Sequence, residues 1–415
     1  MKKIFPIAIL STLILSACNH PVENSFYNKY DFDFGIEKDI TPYQINDTKS
    51  YESTYFKMHG RYYFDNNIQV CFFNYSSSGF EITFIGTSLE ACLYTTRADN
   101  NDNRPYIAVC IDNDYDPEKA TTIQLTSQTN SNSERRSGNY FVHEHIVLAH
   151  DLENTKHTVR VYKRSECLIS KVGVKSVSTD GEILPVEGKE LDLKMEFFGD
   201  SVTCGYAVES PDYFERFSSR TENSLKTYAN YCANELNSDV SHISCGGYPM
   251  YKSKYAAGCN PDNIPDMFSL ADVEYQTTIR HEWNNQLYIP DVVVIALGAN
   301  DGSLIDYSNP ESEQNKDLLA NYKSSYVNFI NKIRNNYPDA LIVVSDEILP
   351  IYEKITSVMD EIVDESSDSK LIRAKFTAFN DAKDKMLPGE GHPNKEMHQL
   401  AGHQLAEIIR PYINK

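Results

Sequence analysis

Apolar and polar residues alternate with a period of two over much of the first half of the chain. Two clear examples are residues 80–84 and 159–161. Such alternation predicts strands with one face in a core and the other in solvent. Clusters of turn-forming residues separate the short apolar runs: 65–67, 76–79, 100–103 and 178–181. The pattern predicts an antiparallel β-sandwich of jelly-roll type over residues 46–186.

From residue 191 the pattern changes to strands that alternate with helices. Three apolar runs predict strands buried on both faces: 193–198, 291–297 and 340–345. A helical period over residues 316–335 predicts an amphipathic helix. This alternation is typical of a doubly wound α/β domain, a three-layer sandwich with a parallel sheet in the middle, here over residues 190–415. The linker at 184–189 is short, so we expect the two domains to pack together.

The first residues have the pattern of a targeting segment. Two lysines and a short apolar run precede the sequence Leu-Ser-Ala-Cys, which ends at Cys18 and resembles the bacterial lipobox. Residues 1–17 are therefore predicted to be a lipoprotein signal peptide, and residues 18–45 a tether lipidated at Cys18. The predicted location is the bacterial cell envelope, anchored by lipid to the outer membrane and facing the periplasm or the outside. A plain secretory signal is the alternative.

Composition narrows the classes of partner. The formal net charge of −20 disfavours nucleic acid and anionic membrane surfaces as partners. After Leu15 the sequence has no run of eighteen apolar residues, so the lipid is expected to be the only membrane anchor. The chain has 28 tyrosines and 1 tryptophan, and tyrosine combines an apolar ring with a hydroxyl that suits sugars. No two cysteines have the CxxC spacing, so a zinc site is not expected.

Two segments carry the residues of nucleophilic serine chemistry. Ser201 follows the first predicted α/β strand, in a glycine-flanked turn that leaves its hydroxyl accessible. A serine nucleophile needs a base and donors for the developing oxyanion. His392 lies in a Gly/Pro-rich loop before a helical segment, in which Pro393 is expected to occupy the first turn. His392 is therefore the candidate base.

Two further segments offer oxyanion donors. Asn300 follows the buried run 291–297, at the strand end where open α/β sheets bind ligands. Its side-chain amide can donate a hydrogen bond to an oxyanion. In the sequence Ser-Cys-Gly-Gly-Tyr, Gly247 or its neighbour Gly246 lets a backbone N–H approach the reacting atom closely.

The order Ser, Gly, Asn, His across these segments resembles the SGNH (GDSL-type) hydrolase superfamily. The resemblance implies that Ser201 is the nucleophile and His392 the general base. It also implies that the Ser201 N–H, Gly247 and Asn300 form the oxyanion hole. Residues 196–206 resemble the block that marks carbohydrate esterase family 2, the two-domain acetyl xylan esterases. Residues 78–90 and 157–166 are similar to the N-terminal sandwich of that family.

The resemblance implies a serine esterase that removes acetyl groups from polysaccharides such as xylan or glucomannan, with no metal or organic cofactor. One position departs from the superfamily pattern. An acid usually stands three residues before the histidine, where this chain has Gly389. The candidate triad acid is Glu390, and the alternative is a backbone carbonyl that orients His392.

The expected substrate contacts are the residue after Asn300 and three aromatic residues: Asp301, Tyr248, Tyr251 and Trp283. Two other functions stay open on sequence alone. A lipase or thioesterase of the same superfamily is one. The other is a surface lipoprotein that binds glycans through an inactive hydrolase domain. Intact Ser201, Asn300 and His392 favour the esterase, because a binding module does not need all three.

Overall fold

The computed structural model describes residues 55–96, 101–125, 141–186, 191–212, 214–273, 280–349, 351–377 and 388–413. The predicted signal peptide, the tether and Cys18 lie outside these residues. Within the described part of the chain, no helix has both the length and the apolar character needed to cross a membrane.

The first half of the described chain folds into two antiparallel sheets. Their strands are β1 Lys57–His59, β2 Tyr62–Asp65, β3 Val70–Phe73, β4 Gly79–Gly86, β5 Leu89–Thr96, β6 Tyr106–Ile111, β7 Thr121–Gln124, β8 Phe141–Ala149, β9 Thr155–Lys163, β10 Val172–Thr179 and β11 Glu182–Leu184. One sheet has the order β1-β4-β9-β6-β7, with β11 also paired to β4. The other has the order β2-β3-β10-β5-β8.

This strand order is that of a jelly roll. The sets β3-β10-β5-β8 and β4-β9-β6-β7 form its two four-stranded sheets. Apolar side chains of both sheets fill the space between them, among them Phe80, Ile82 and Phe84 of β4 and Val172 and Val174 of β10. The predicted jelly-roll sandwich is therefore confirmed.

The second half of the described chain contains a five-stranded parallel sheet. Its strands are β12 Leu193–Gly199, β13 Ser238–Ser244, β14 Val292–Ala296, β15 Leu341–Ser345 and β16 Leu371–Ala374, in the order β13-β12-β14-β15-β16. The helices are α1 Ser201–Cys204, α2 Tyr228–Glu235, α3 Glu313–Asn336, α4 Glu353–Asp364, α5 Pro388–Gly391 and α6 Lys395–Ile413. Short 3-10 turns occur at Asn101–Asn103, Ser224–Lys226, Pro265–Ser269, Asn285–Leu287 and Asp301–Leu304.

Helices cover both faces of this sheet. Helices α3 and α4 pack on the face that presents Phe198 and Ile295, and α2 and α6 pack on the face that presents Phe197 and Val294. The predicted three-layer α/β fold is confirmed. Helix α3 begins three residues before the predicted start, because the Ser312 hydroxyl caps it by accepting the Asn315 N–H at 3.2 Å.

The two domains meet through buried charges, so one sandwich face departs from the expected pattern. Glu81 of β4 is fully buried and accepts a hydrogen bond from Arg160 Nε at 2.6 Å. His59 Nε2 lies 3.4 Å from the same carboxylate, and its Nδ1 lies 3.3 Å from Asp239 of β13. The polar side of β4 was expected to face solvent. That expectation is wrong here, because the α/β domain contributes Asp239 to this face.

The charges around Glu81 make it sensitive to acid. Burial alone would raise the pKa of Glu81, but the hydrogen bond from His59 and the charge of Arg160 outweigh burial and lower the pKa to about 2. A carboxyl group with a lowered pKa stabilises the fold above its unfolded pKa, near 4.5. It loses that contribution as the pH falls through about 2.

We therefore expect Glu81→Gln to lower the free energy of unfolding at neutral pH by about 3–5 kcal/mol, because Arg160 loses its buried partner. The deficit relative to the unsubstituted protein should shrink as the pH falls from about 4.5 towards about 2. Denaturant titrations across this range measure it. Glu365→Gln is the control, since it removes an exposed carboxylate paired with Lys323. A deficit that stays constant with pH would contradict the assignment.

Candidate active site

Ser201 lies at the carboxyl edge of the parallel sheet. It follows β12, from which the chain passes first to β13 on one side and then to β14 on the other. Ligands of open α/β sheets bind at such a switch point. Asp200 caps the single turn α1 by accepting the Val202 N–H at 3.0 Å. The cap fixes Ser201, which is 8% exposed, at the first position of the turn.

The structure brings His392 to Ser201. His392 Nε2 lies 2.9 Å from Ser201 Oγ, the distance of a hydrogen bond in which the hydroxyl donates to the imidazole. Asn394 follows and accepts the Met397 N–H at 3.0 Å, which caps α6. Pro393 therefore lies before the cap. The prediction that Pro393 occupies the first turn of the helix is wrong.

Tyr206 lies against the His392 ring. The two rings are stacked, with centroids 4.1 Å apart and planes at 28°. The Tyr206 hydroxyl donates to Glu390 Oε2 at 2.5 Å, and burial together with this bond raises the pKa of Tyr206. Among the described contacts, the Glu390 carboxylate bonds Tyr206 and forms no bond to His392. This geometry favours a role for Glu390 in holding Tyr206.

The glycine pair forms a turn after β13. The Tyr248 N–H donates to the Cys245 carbonyl at 3.2 Å. Gly247 has φ +79, as the third residue of a type II turn requires. The Gly246 N–H donates to Glu166 Oε2 at 2.5 Å. Within the described residues no acceptor is found for the N–H of Gly247 or of Ser201. The geometry therefore favours Gly247 over Gly246 as an oxyanion donor.

Asn300 connects the serine turn to the glycine turn. Its side-chain amide donates to Asp200 Oδ2 at 2.6 Å and to the Tyr248 carbonyl at 3.3 Å. The second bond is long, so that hydrogen is weakly held. Ser201, Gly247, Asn300 and His392 thus gather at one edge of the sheet, as the sequence motifs require for acyl transfer.

Asp301 is placed differently from the prediction. It is fully buried, and its carboxylate accepts the backbone N–H groups of Met250, Tyr251 and Lys252 at 2.9, 2.8 and 3.2 Å. Burial raises its pKa to about 7, although these three bonds act in the opposite direction. Asp301 therefore holds the segment after the glycine turn, and the expected contact with substrate is corrected to a positioning contact.

Two of the three predicted aromatic contacts are also buried. Tyr248 belongs to the core under the sheet. Trp283 is 5% exposed and packs edge-on against Tyr62, with ring centroids 5.5 Å apart. It fills the interface between the sandwich and the α/β domain, so the predicted sugar contact is wrong for Trp283. Tyr251 keeps part of its surface exposed.

Sequence reasoning missed Tyr255. This residue is 61% exposed, and its Cβ would lie 2.9 Å from a Cβ added to Gly247. An exposed aromatic ring thus flanks the glycine turn. The sequence does not single out Tyr255, because Tyr248, Tyr251 and Tyr255 are the same residue type within eight positions. Their different burial is visible in the structure alone.

Sequence reasoning also missed two clusters of buried acidic residues near the site. The first cluster contains Glu347 and Asp200. Glu347 accepts the Ala299 N–H at 2.8 Å, and burial and the neighbouring Asp200 raise its pKa. Burial likewise raises the pKa of Asp200 to about 6. These carboxyl groups lie under Ser201 and Asn300 and tie the strand ends together.

The second cluster consists of residue types that can coordinate a metal ion. Glu166, Cys204 and Glu222 are buried, and one ligand atom from each lies within 4.8 Å of the others. Lys163 interacts electrostatically with all three, and burial lowers its pKa to about 8. Its ammonium group already supplies positive charge to this cluster, which makes the cluster a poor fit for a cation.

A comparison with family models agrees with this geometry. Residues 197–400 match the GDSL-like lipase/acylhydrolase family. This span contains Ser201, Gly247, Asn300 and His392. The second half of the chain is a GDSL-like lipase/acylhydrolase domain. The matched span begins within β12, the strand that leads to Ser201.

Relatives extend the likeness to both domains. The cellulase/esterase CelE of Acetivibrio thermocellus is 27% identical over 274 residues, which are 64% of this chain and 31% of that protein. The chain thus spans about a third of CelE. An acetylxylan esterase / glucomannan deacetylase of Cellvibrio japonicus is 23% identical over 419 residues, which cover 99% of each chain.

A solved structure shares the arrangement of the two domains. A family two carbohydrate esterase from Clostridium thermocellum in complex with cellohexaose superimposes with a TM-score of 0.68 and 23% identity, over 86% of this chain and 99% of that chain. The likeness shows that the two chains share one overall fold.

The position of Glu390 generates a test. We expect Glu390→Gln to lower kcat by less than about tenfold, because it weakens one hydrogen bond to Tyr206, worth roughly 0.5–1.5 kcal/mol. Loss of a carboxylate bonded to the catalytic imidazole costs up to about 10⁴-fold. Initial rates on 4-nitrophenyl acetate distinguish a Glu390 that holds Tyr206 from a Glu390 that bonds the imidazole.

Tyr206→Phe is the matched variant, because it keeps the ring on His392 and removes the hydroxyl that bonds Glu390. It should behave like Glu390→Gln. A loss of about 10³ or more in Glu390→Gln alone would assign Glu390 to the triad instead.

Proposed function

We propose that this protein is a serine esterase that removes O-acetyl groups from polysaccharides such as xylan or glucomannan. The observation that carries the proposal is the 2.9 Å contact between Ser201 Oγ and His392 Nε2 at the switch point of the sheet. The Cellvibrio relative is an acetylxylan esterase / glucomannan deacetylase, which supports the acyl group and the class of substrate.

The reaction is acyl transfer in two steps. His392 Nε2 takes the proton of Ser201 as its Oγ attacks the acetyl carbonyl. His392 then gives this proton to the departing sugar oxygen, which leaves as a hydroxyl and frees the acetylated Ser201. Water attacks the acetyl-serine, again with His392 as base. Acetate leaves and Ser201 recovers its proton.

Three donors stabilise the oxyanion in this proposal. They are the N–H groups of Ser201 and Gly247 and the side-chain amide of Asn300. Removal of one such donor typically costs about 2.7–4 kcal/mol of transition-state stabilisation. The long Asn300 bond to the Tyr248 carbonyl, 3.3 Å, can be exchanged for a bond to the oxyanion at little cost.

The surface beside the glycine turn suits a sugar. The exposed ring of Tyr255 offers an apolar face and a hydroxyl next to Gly247. The partly exposed Tyr251 lies on the same segment. A neutral polysaccharide is also compatible with the net charge of −20, which disfavours polyanions.

The esterase proposal is tested by acetate release. The protein should release acetate from acetylated xylan and acetylated glucomannan, and Ser201→Ala should remove nearly all of it, because the nucleophile is lost. Ser210→Ala is the control, since its hydroxyl bonds Glu215 away from the catalytic contact. An enzymatic or NMR assay of acetate gives the readout.

Serine-dependent hydrolysis of long-chain esters or thioesters without acetate release would favour the lipase or thioesterase alternative. Glycan binding without any hydrolysis would favour the binding lipoprotein. Either result would contradict the proposed deacetylase function.

We also propose that the protein is a lipid-anchored component of a bacterial cell envelope, on the evidence of the sequence that ends at Cys18. Cys18→Ala should release the protein from the membrane fraction and abolish incorporation of labelled palmitate. A wild-type protein that stays soluble and unlabelled in cells would show that the signal is a plain secretory one.

A further inference from the structure

The loop between β9 and β10 reaches from the sandwich into the GDSL-like domain. Its Glu166 is 6% exposed and accepts the Gly246 N–H at 2.5 Å. The two residues are 80 positions apart and lie in different domains. Hydrogen bonds to a carboxylate are shorter and stronger than neutral ones, so this bond fixes the start of the glycine turn.

Glycine at position 246 is required by this contact. A Cβ on Gly246 would lie 2.9 Å from Glu166 Oε2 and 3.2 Å from Oε1. The two glycines of the pair therefore serve different needs. Gly246 admits the carboxylate, and Gly247 supplies the positive φ of the turn.

The peptide that carries the Gly247 N–H is held from both sides. On one side Gly246 N–H is bonded to Glu166. On the other side the Gly247 carbonyl accepts the Ser253 hydroxyl at 2.7 Å. Glycine residues have the most conformational freedom to lose. Without these two anchors the Gly247 N–H would sample many directions.

Glu166 is itself rigidly supported. Its own N–H donates to Glu222 Oε2 at 2.9 Å. Lys163 Nζ donates to the carbonyls of Ser165 and Glu166, both at 2.7 Å, and places a cation in the cluster. Burial of charged groups costs several kcal/mol unless they are paired and bonded. Such a cluster next to a catalytic turn favours a functional role over a stabilising one.

We propose that Glu166 of the sandwich is a positioning residue of the active site: by holding the Gly246 N–H it orients the Gly246–Gly247 peptide so that the Gly247 N–H faces the oxyanion. The inference rests on the proposed esterase function. It predicts a loss in kcat more than in KM, because an oxyanion donor acts in the transition state.

The test compares kcat and KM for 4-nitrophenyl acetate and acetylated xylan. Glu166→Ala should lower kcat by roughly 10²-fold with KM changed by less than about threefold. Glu166→Gln keeps an acceptor oxygen and should recover most of the loss. Glu209→Gln is the matched control, because Glu209 pairs with Arg164 across the same interface without touching the glycine turn. It should keep the wild-type kcat even where its melting temperature falls.

A double-mutant cycle keeps the test decisive if Glu166→Ala is poorly folded. Gly246→Ala should lower kcat in the wild type, since the Cβ displaces the Glu166 carboxylate. In the Glu166→Ala background the same change should cost much less. The cycle can be measured on the folded fraction by active-site titration.

Additive losses, or a wild-type kcat in Glu166→Ala, would overturn the inference while leaving the esterase proposal intact. A wild-type protein that hydrolyses neither ester would instead overturn the proposed function.

Discussion

The buried guanidinium of Arg61 ties the two domains to each other and to β12, the strand that leads to Ser201. Arg61 is fully buried, and its Nη1 donates to the carbonyls of Met267, Phe268 and Leu270. Its Nη2 donates to Glu196 on β12 at 3.1 Å. A buried charge without its partner costs about 3–5 kcal/mol. The position of β12, and with it Ser201, therefore depends on the sandwich being in place.

The chemistry at the sheet edge depends on polar groups that would destabilise an ordinary core. Asp200 caps the serine turn and holds Asn300, and Asp301 holds the segment after the glycine turn. Burial raises the pKa of both carboxyl groups, because their charged forms lose solvation. This loss of solvation is the energetic cost of a rigid site. Preorganised donors act in the transition state without further rearrangement. The buried acids are thus understandable as supports of the proposed oxyanion donors.

Sequence reasoning found what local patterns encode. A buried strand followed by a glycine-flanked serine predicts the position of Ser201, and a Gly/Pro-rich loop before a helix predicts that of His392. Contacts between distant segments left no such pattern. Tyr206 meets Glu390 across 184 positions, and Glu166 meets Gly246 across 80. Trp283 was expected to contact sugar, but an aromatic residue suits a sugar site and a protein core equally well. The sequence alone does not distinguish these roles, and the burial of Trp283 at the domain interface does.

The charges at the interface also indicate what the sandwich does. Three carboxylates of the GDSL-like domain have their cations in the sandwich. Glu196 pairs with Arg61, Asp239 with His59 and Arg160, and Asp272 with Lys171. An appended module joined by a flexible linker would not share buried ion pairs with its neighbour. Separation would remove these cations from Glu196 and Asp239 and would leave Asp272 with His281 as its remaining described ion-pair partner. The sandwich is thus an integral part of the structure that shapes the catalytic edge.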